Sequence, residues 1–208
     1  MKIETQTQTT QAAMTPAEAL TRLKEGNARF LDNRQANRAL LHQVNMTTSG
    51  QYPFAFVLGC VDSRVSPELI FDQGIGDIFS ARIAGNFVNY DILGSMEFAC
   101  KVAGAKLILV LGHTQCGAIM GACDDVQLGN LTGLLSKLKP AVDAVSPMGG
   151  ERNSQNEVFV QQVAEKNVAL TTAAIKQQSE VLNEMLQNGE IAIVGAMYDV
   201  ATGKVTFY

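Results

Sequence analysis

The 208-residue chain is poor in charge, in histidine and cysteine, and in long apolar runs, and each shortage excludes something. Asp, Glu, Lys and Arg make up 17% of the residues, below the roughly 25% of an ordinary soluble domain, which points to surface hidden between subunits. Acidic residues outnumber basic ones 20 to 16 and no basic block occurs, so no nucleic-acid partner is expected. The apolar runs are of strand length, far short of the roughly 18 consecutive residues of a membrane span, and no membrane partner is expected. Residues 1–14 are polar and rich in Gln and Thr, without the apolar stretch of a secretory signal. They are expected to be a disordered lead-in to a single domain spanning 1–208, in the cytoplasm. Four cysteines without an export signal do not make a disulfide framework; free, catalytic or metal-bound thiols are expected instead. No Cys-x-x-Cys occurs, which disfavours a thiol redox protein.

What is present is a 47% apolar chain, enough for a sizeable core. Thr15-Pro16-Ala17-Glu18 reads as a helix start, with Thr15 as cap, Pro16 in the first turn and Glu18 completing a capping box. Short, almost wholly apolar runs at 54–58 and 105–111, with 77–83 and 190–200, read as strands of the parallel, doubly buried kind. Helical stretches are predicted over 92–103, 114–122, 131–145 and 157–187. Residues 205–208 follow a turn signal and read as an antiparallel edge. The class predicted is α/β, a mostly parallel central sheet flanked by helices, with an N-terminal helical arm and a short antiparallel C-terminal edge.

The chemistry-bearing residues stand at two strand ends, where open α/β sheets bind ligands. One run ends in Cys60-Val61-Asp62-Ser63-Arg64, another in His113-Thr114-Gln115-Cys116-Gly117. His113 and Cys116, three apart at a predicted helix start, can share a face. Two Cys and one His form a known zinc set that leaves the fourth position open. Cys123 lies a further seven residues on, about 10 Å along a helix, too far to share the ion. Cys100 reads as a plain buried thiol and His42 as a surface histidine. Buried cysteines at strand ends with a nearby Asp62–Arg64 ion pair remain the plainer alternative.

The joint pattern resembles the β-class carbonic anhydrases of the plant-like subgroup. The likeness continues through Val65-Ser66-Pro67, Gly76-Asp77-Ile78-Phe79, Arg82-Ile83-Ala84-Gly85-Asn86 and Tyr198-Asp199, covering roughly 15–208. It implies a zinc enzyme that hydrates carbon dioxide reversibly to bicarbonate and a proton by zinc-bound hydroxide. Cys60, His113 and Cys116 would be the ligands, with Asp62 and Arg64 as the dyad beside the metal. Gln51, nine residues before Cys60, matches a substrate-contacting Gln. Phe79 matches an aromatic pocket wall, part of which crosses a dimer interface; Ala84 stands where the subgroup has a pocket Val, and Gly117 follows the last ligand. A homodimer or homotetramer is implied. Members whose Asp closes onto zinc carry a Trp three residues before the first Cys; this chain has Val57 there, so that regulatory closure is expected to be absent or weakened. Two thiolates offset the ion's charge, so hydration is expected to speed up as pH rises above neutral. The competing activities are carbon disulfide or carbonyl sulfide hydrolysis on the same fold, and a non-catalytic zinc-binding module.

Overall fold

A computed structural model describes residues 5–146 and 149–208. Its first helix corrects the expected disordered lead-in: α1 (Gln8–Ala13) is capped by Thr7 in a capping box with Thr10. Residues 1–4 of that lead-in lie outside the described residues. The helix is short and polar, so periodicity does not reveal it; what holds it is Gln11, whose buried Nε2 donates to Pro53 O at 2.7 Å and Ala103 O at 2.8 Å. Helix α2 (Pro16–Leu31) begins as predicted, with the Thr15–Glu18 capping box and Pro16 in the first turn. The short helices α3 (Leu40–Met46) and α4 (Pro67–Ile70) carry no sequence signal of comparable strength.

Strand β1 (Ala55–Gly59) precedes α4 in the chain, and β2 (Ile78–Arg82) follows it. The predicted helix over 92–103 is α5 (Tyr90–Glu97), capped by Asn89, running into a π-helical turn at Phe98–Val102. Gly104, at φ +83°, ends it in a conformation that glycine adopts without strain. Next come β3 (Leu107–His113), α6 (Gly117–Cys123), α7 (Gly129–Leu135) and α8 (Lys139–Asp143). The long C-terminal stretch is two helices, α9 (Glu157–Gln178) and α10 (Glu180–Gln187), broken at Ser179. Ser179 Oγ accepts from Leu182 N to cap α10 and donates to Glu97 Oε1 at 2.6 Å, so a tertiary contact fixes the break. Strands β4 (Ala192–Tyr198) and β5 (Val205–Phe207) close the chain.

The sheet order is β2-β1-β3-β4-β5, parallel except for the last pair. Side chains alternate between two buried faces, as a two-residue period demands. Phe56, Leu58, Ile108 and Val110 face α5, α6, α8, α9 and α10, meeting Met96, Ile119, Val142, Phe159, Val163 and Leu182. Ala55, Val57, Leu107, Leu109 and Leu111 face α2 and α4, meeting Ala19, Leu23, Ile70 and Phe71. All of β1 and β3 is buried, which explains why these strands read as unbroken apolar runs. Among the described residues no helix is long and apolar enough to cross a membrane.

Candidate metal centre

The connections reverse direction between β1 and β3, since β1 leads out to β2 on one side while β3 continues to β4 on the other. A crevice forms at such a switch point, beyond the carboxyl ends of the strands. Cys60 follows β1 directly, and His113 is the last residue of β3. Cys116 stands at the N-cap position of α6, and Gln115 bends the chain back between the two with φ +53°, a left-handed conformation uncommon outside glycine. His113 is therefore a strand residue, not a first-turn helix residue sharing a face with Cys116 as its spacing predicts. The turn supplies the convergence.

The donor atoms of Cys60, His113 and Cys116 all lie within 4.8 Å of one another, and all three residues are buried. The two sulfurs are 4.0 Å apart. Two zinc–sulfur bonds of about 2.3 Å at a tetrahedral angle would set them about 3.8 Å apart. The His113 ring is fully buried, its Nδ1 hydrogen-bonded to Thr114 O at 2.9 Å and its Nε2 without a partner. A backbone carbonyl only accepts, so Nδ1 carries the proton and Nε2 keeps a free lone pair. A buried, unpaired nitrogen beside two thiols suits a soft divalent cation, and zinc fits this donor set. The thiols share their protons unequally: hydrogen bonding from Cys116 pulls Cys60 down, and the same contact with burial pushes Cys116 up.

Beside the cluster, Arg64 grips Asp62 twice, Nε to Oδ1 at 2.9 Å and Nη2 to Oδ2 at 2.8 Å, while the Arg64 backbone N–H also donates to Oδ1 at 2.9 Å. The Arg64 side-chain hydrogen bonds hold the carboxyl at about 2, well below the usual carboxylate range, outweighing the burial that acts against them. Arg82 pins the loop from β2, donating to Cys60 O at 2.8 Å and Asp62 O at 2.5 Å. On the other side, Thr114 is tied to the C-terminal strand through its N–H to Tyr198 O at 2.9 Å and its hydroxyl, which accepts from Val200 N at 3.0 Å. A cleft of ≈ 490 Å³ opens beside Arg64, lined by Thr114, Gln115, Glu157, Gln161 and Asp199 among others.

The remaining predicted pocket residues divide. Ala84 precedes Gly85, whose N–H reaches Cys60 Sγ at 3.4 Å, and Gly117 follows Cys116 with open space where a side chain would stand. Gln51 is exposed upstream of β1, at the opposite end of that strand from Cys60. Phe79 pairs in register with Phe56 and packs between it and Phe98, with ring centroids 6.5 and 6.2 Å apart. Four strand residues from Phe56 to Cys60 span about 13 Å. Within one chain, then, Gln51 and Phe79 stand away from the donor cluster. Cys100 and Cys123 also stand apart, buried and pushed up by that burial to about 12 and about 11; His42 is exposed. Residue-by-residue reasoning missed the structural work of Arg82 and Gly85, which it noted only inside a resembling stretch, and of Asn167, a lone amide in a buried apolar helix face.

A family model described as carbonic anhydrase matches residues 55–205. Carbonic anhydrase 2 of Mycobacterium tuberculosis is 36% identical over 193 residues, covering 91% of each chain. A carbonic anhydrase of Mycolicibacterium smegmatis is 35% identical over 196 residues, covering 91% of this chain and 92% of its own. Among solved structures, the β-carbonic anhydrase CafA of Aspergillus fumigatus superposes with a TM-score of 0.70 at 25% identity, covering 92% of this chain and 89% of that one. The span matched by the family model contains Cys60, Asp62, Arg64, His113 and Cys116. The chain belongs to the β-carbonic anhydrase family.

Proposed function

We propose that this protein catalyses the reversible hydration of carbon dioxide to bicarbonate and a proton, with zinc held by Cys60, His113 and Cys116. The observation that carries the reading is the buried convergence of two sulfurs and an unpartnered imidazole nitrogen, next to a carboxylate kept ionised by arginine. Zinc, when bound, supplies a Lewis acid that lowers the pKa of a coordinated water and readies it for attack at neutral pH.

The chain's own residues do the rest. Asp62, ionised and acceptor-only, takes a hydrogen bond from the attacking oxygen and turns a lone pair of that oxygen toward carbon. Arg64 occupies both carboxylate oxygens, which keeps Asp62 from becoming a fourth ligand. Ala84 and Gly117 border the cluster with little bulk, which suits a small linear substrate. Gln51 and Phe79 serve the crevice of a neighbouring copy, Gln51 by donating its amide to a substrate oxygen. A homodimer or homotetramer is supported by Leu40, Leu41, Val44 and Met46 of α3 and by Phe98 and Val102, all exposed. In this reading residues 1–208 form one domain, and a neighbouring copy completes each crevice. Its four free thiols suit the reducing cytoplasm.

The test is stopped-flow hydration of carbon dioxide alongside metal analysis, with and without chelator, and a parallel assay on carbon disulfide and carbonyl sulfide. About one zinc per chain, with hydration lost on chelation and restored by zinc, is expected. Turnover of carbon disulfide without carbon dioxide hydration would move the assignment to the sulfur analogues, and bound zinc with no turnover of either would leave only a binding module.

A further inference from the structure

Helix α9 packs Val160, Val163, Ala164, Val168 and Ile175 against the sheet, all buried, and Asn167 lies among them at 4% exposure. A primary amide in such surroundings is stable only when it is hydrogen-bonded. Its Nδ2 donates to Gly85 O at 2.7 Å, a contact between buried groups 82 residues apart. Gly85 is the third residue of a turn closed by Asn86 N to Ile83 O at 2.9 Å, and its φ of +81° suits the type II form. A side chain there would be strained by that φ, and its Cβ, within 2.7 Å of a Leu138 methyl, would force the leucine to shift. From this position the Gly85 N–H donates to Cys60 Sγ at 3.4 Å.

We infer that Asn167 is a positioning residue for the metal centre: by holding the Gly85 carbonyl it keeps the Gly85 N–H on the Cys60 sulfur. The inference rests on the zinc reading above and names what tunes one of its ligands. A hydrogen bond to a ligand sulfur draws off part of its negative charge and fixes its direction, and losing a partner of this kind typically costs about 10- to 100-fold in metal affinity. Without Asn167 the Gly85 carbonyl is left buried and unpaired. The turn then relaxes to satisfy it, and the N–H leaves the sulfur.

The test replaces zinc with cobalt in the full chain and reads the sulfur-to-cobalt charge-transfer band, with zinc affinity measured by chelator competition. Asn167→Leu, branched at the same carbon but without polar atoms, and the milder Asn167→Ser, too short to reach Gly85, are compared with Thr171→Val, one turn further along the same buried face. Circular dichroism reports folding. In both Asn167 variants the band is expected to move and zinc affinity to fall about 10- to 100-fold, while Thr171→Val matches the wild type. If the leucine variant does not fold, the serine variant decides. A folded Asn167 variant with the wild-type band and affinity overturns the inference, and so does an equal shift in Thr171→Val. Wild-type protein that takes up neither metal overturns the zinc reading itself and this inference with it, so the two failures are distinguishable.

Discussion

Asp62 and Asp72 are both clamped by arginine, in opposite settings. Asp62 meets Arg64 two residues away; the arginine side chain is 48% exposed and the aspartate 16%. Asp72 is 3% exposed and collects Arg29 from α2, Arg38 from the segment before α3, and the Ala36 N–H. The first pair is local and half in water, so it adds little to folding, yet it sets the charge and direction of a carboxylate beside the donor cluster. The second is long-range and dry, and it ties the chain between α2 and α3 to the end of α4. The same two residue types thus orient a carboxylate beside the donor cluster where solvent reaches them and hold the fold together where it does not.

Removing the cluster that Asp62 serves should have the largest effect. Cys60→Ala is expected to purify without stoichiometric zinc and to lose hydration to the uncatalysed background, as measured by metal analysis and stopped flow. The same substitution at Cys100, whose thiol is pushed up to about 12 by burial, should leave zinc content and rate unchanged. Next, Asp62→Asn should keep zinc but lower kcat/KM by about 10²- to 10⁴-fold, the range of a positioned proton-handling group. An unchanged kcat/KM would strip Asp62 of its role.

Asp72→Asn should reverse this pattern, costing about 3–5 kcal/mol of stability by leaving buried arginine charge uncompensated, with kcat/KM of the folded fraction unchanged. Urea unfolding alongside kinetics reads both quantities. A rate loss larger than the folded fraction accounts for would erase the contrast between the two aspartates.

The smallest effect is in the pH dependence of stability. Burial pushes the Asp72 carboxyl up, but Arg29, Arg38 and the Ala36 N–H outweigh it and leave it lowered. A carboxyl whose folded pKa lies below its unfolded value contributes stability above the unfolded pKa, near 3.9, and loses it as pH falls through the folded one. The urea midpoint should therefore fall less steeply with acid in Asp72→Asn than in the wild type. Parallel acid limbs would show that Asp72 is not held ionised by its partners.

The two aspartates also mark what could be read in advance. Asp62 and Arg64 are neighbours in the chain and follow an apolar run, so their pairing and their place at a strand end were legible. Cys60 and His113 were legible for the same reason, each standing where a doubly buried strand stops, with Cys116 one short turn beyond. The Asp72 clamp was not, because its partners come from 34 to 43 residues away and no local pattern joins them. Helix α1 escaped notice because its anchor is one glutamine bonded to distant carbonyls, and the break at Ser179 because a contact with Glu97 selects it.

Local residue order by itself determined the alternating strands and helices, the capped start of α2 and the placing of candidate soft donors at strand ends, since each depends on spacing of a few residues along the backbone. The tertiary structure alone decided how those donors meet, on which nitrogen His113 keeps its proton, and which distant groups hold the loops still. Those outcomes depend on distances through space, and they are set only when the sheet brings the ends of β1 and β3 side by side.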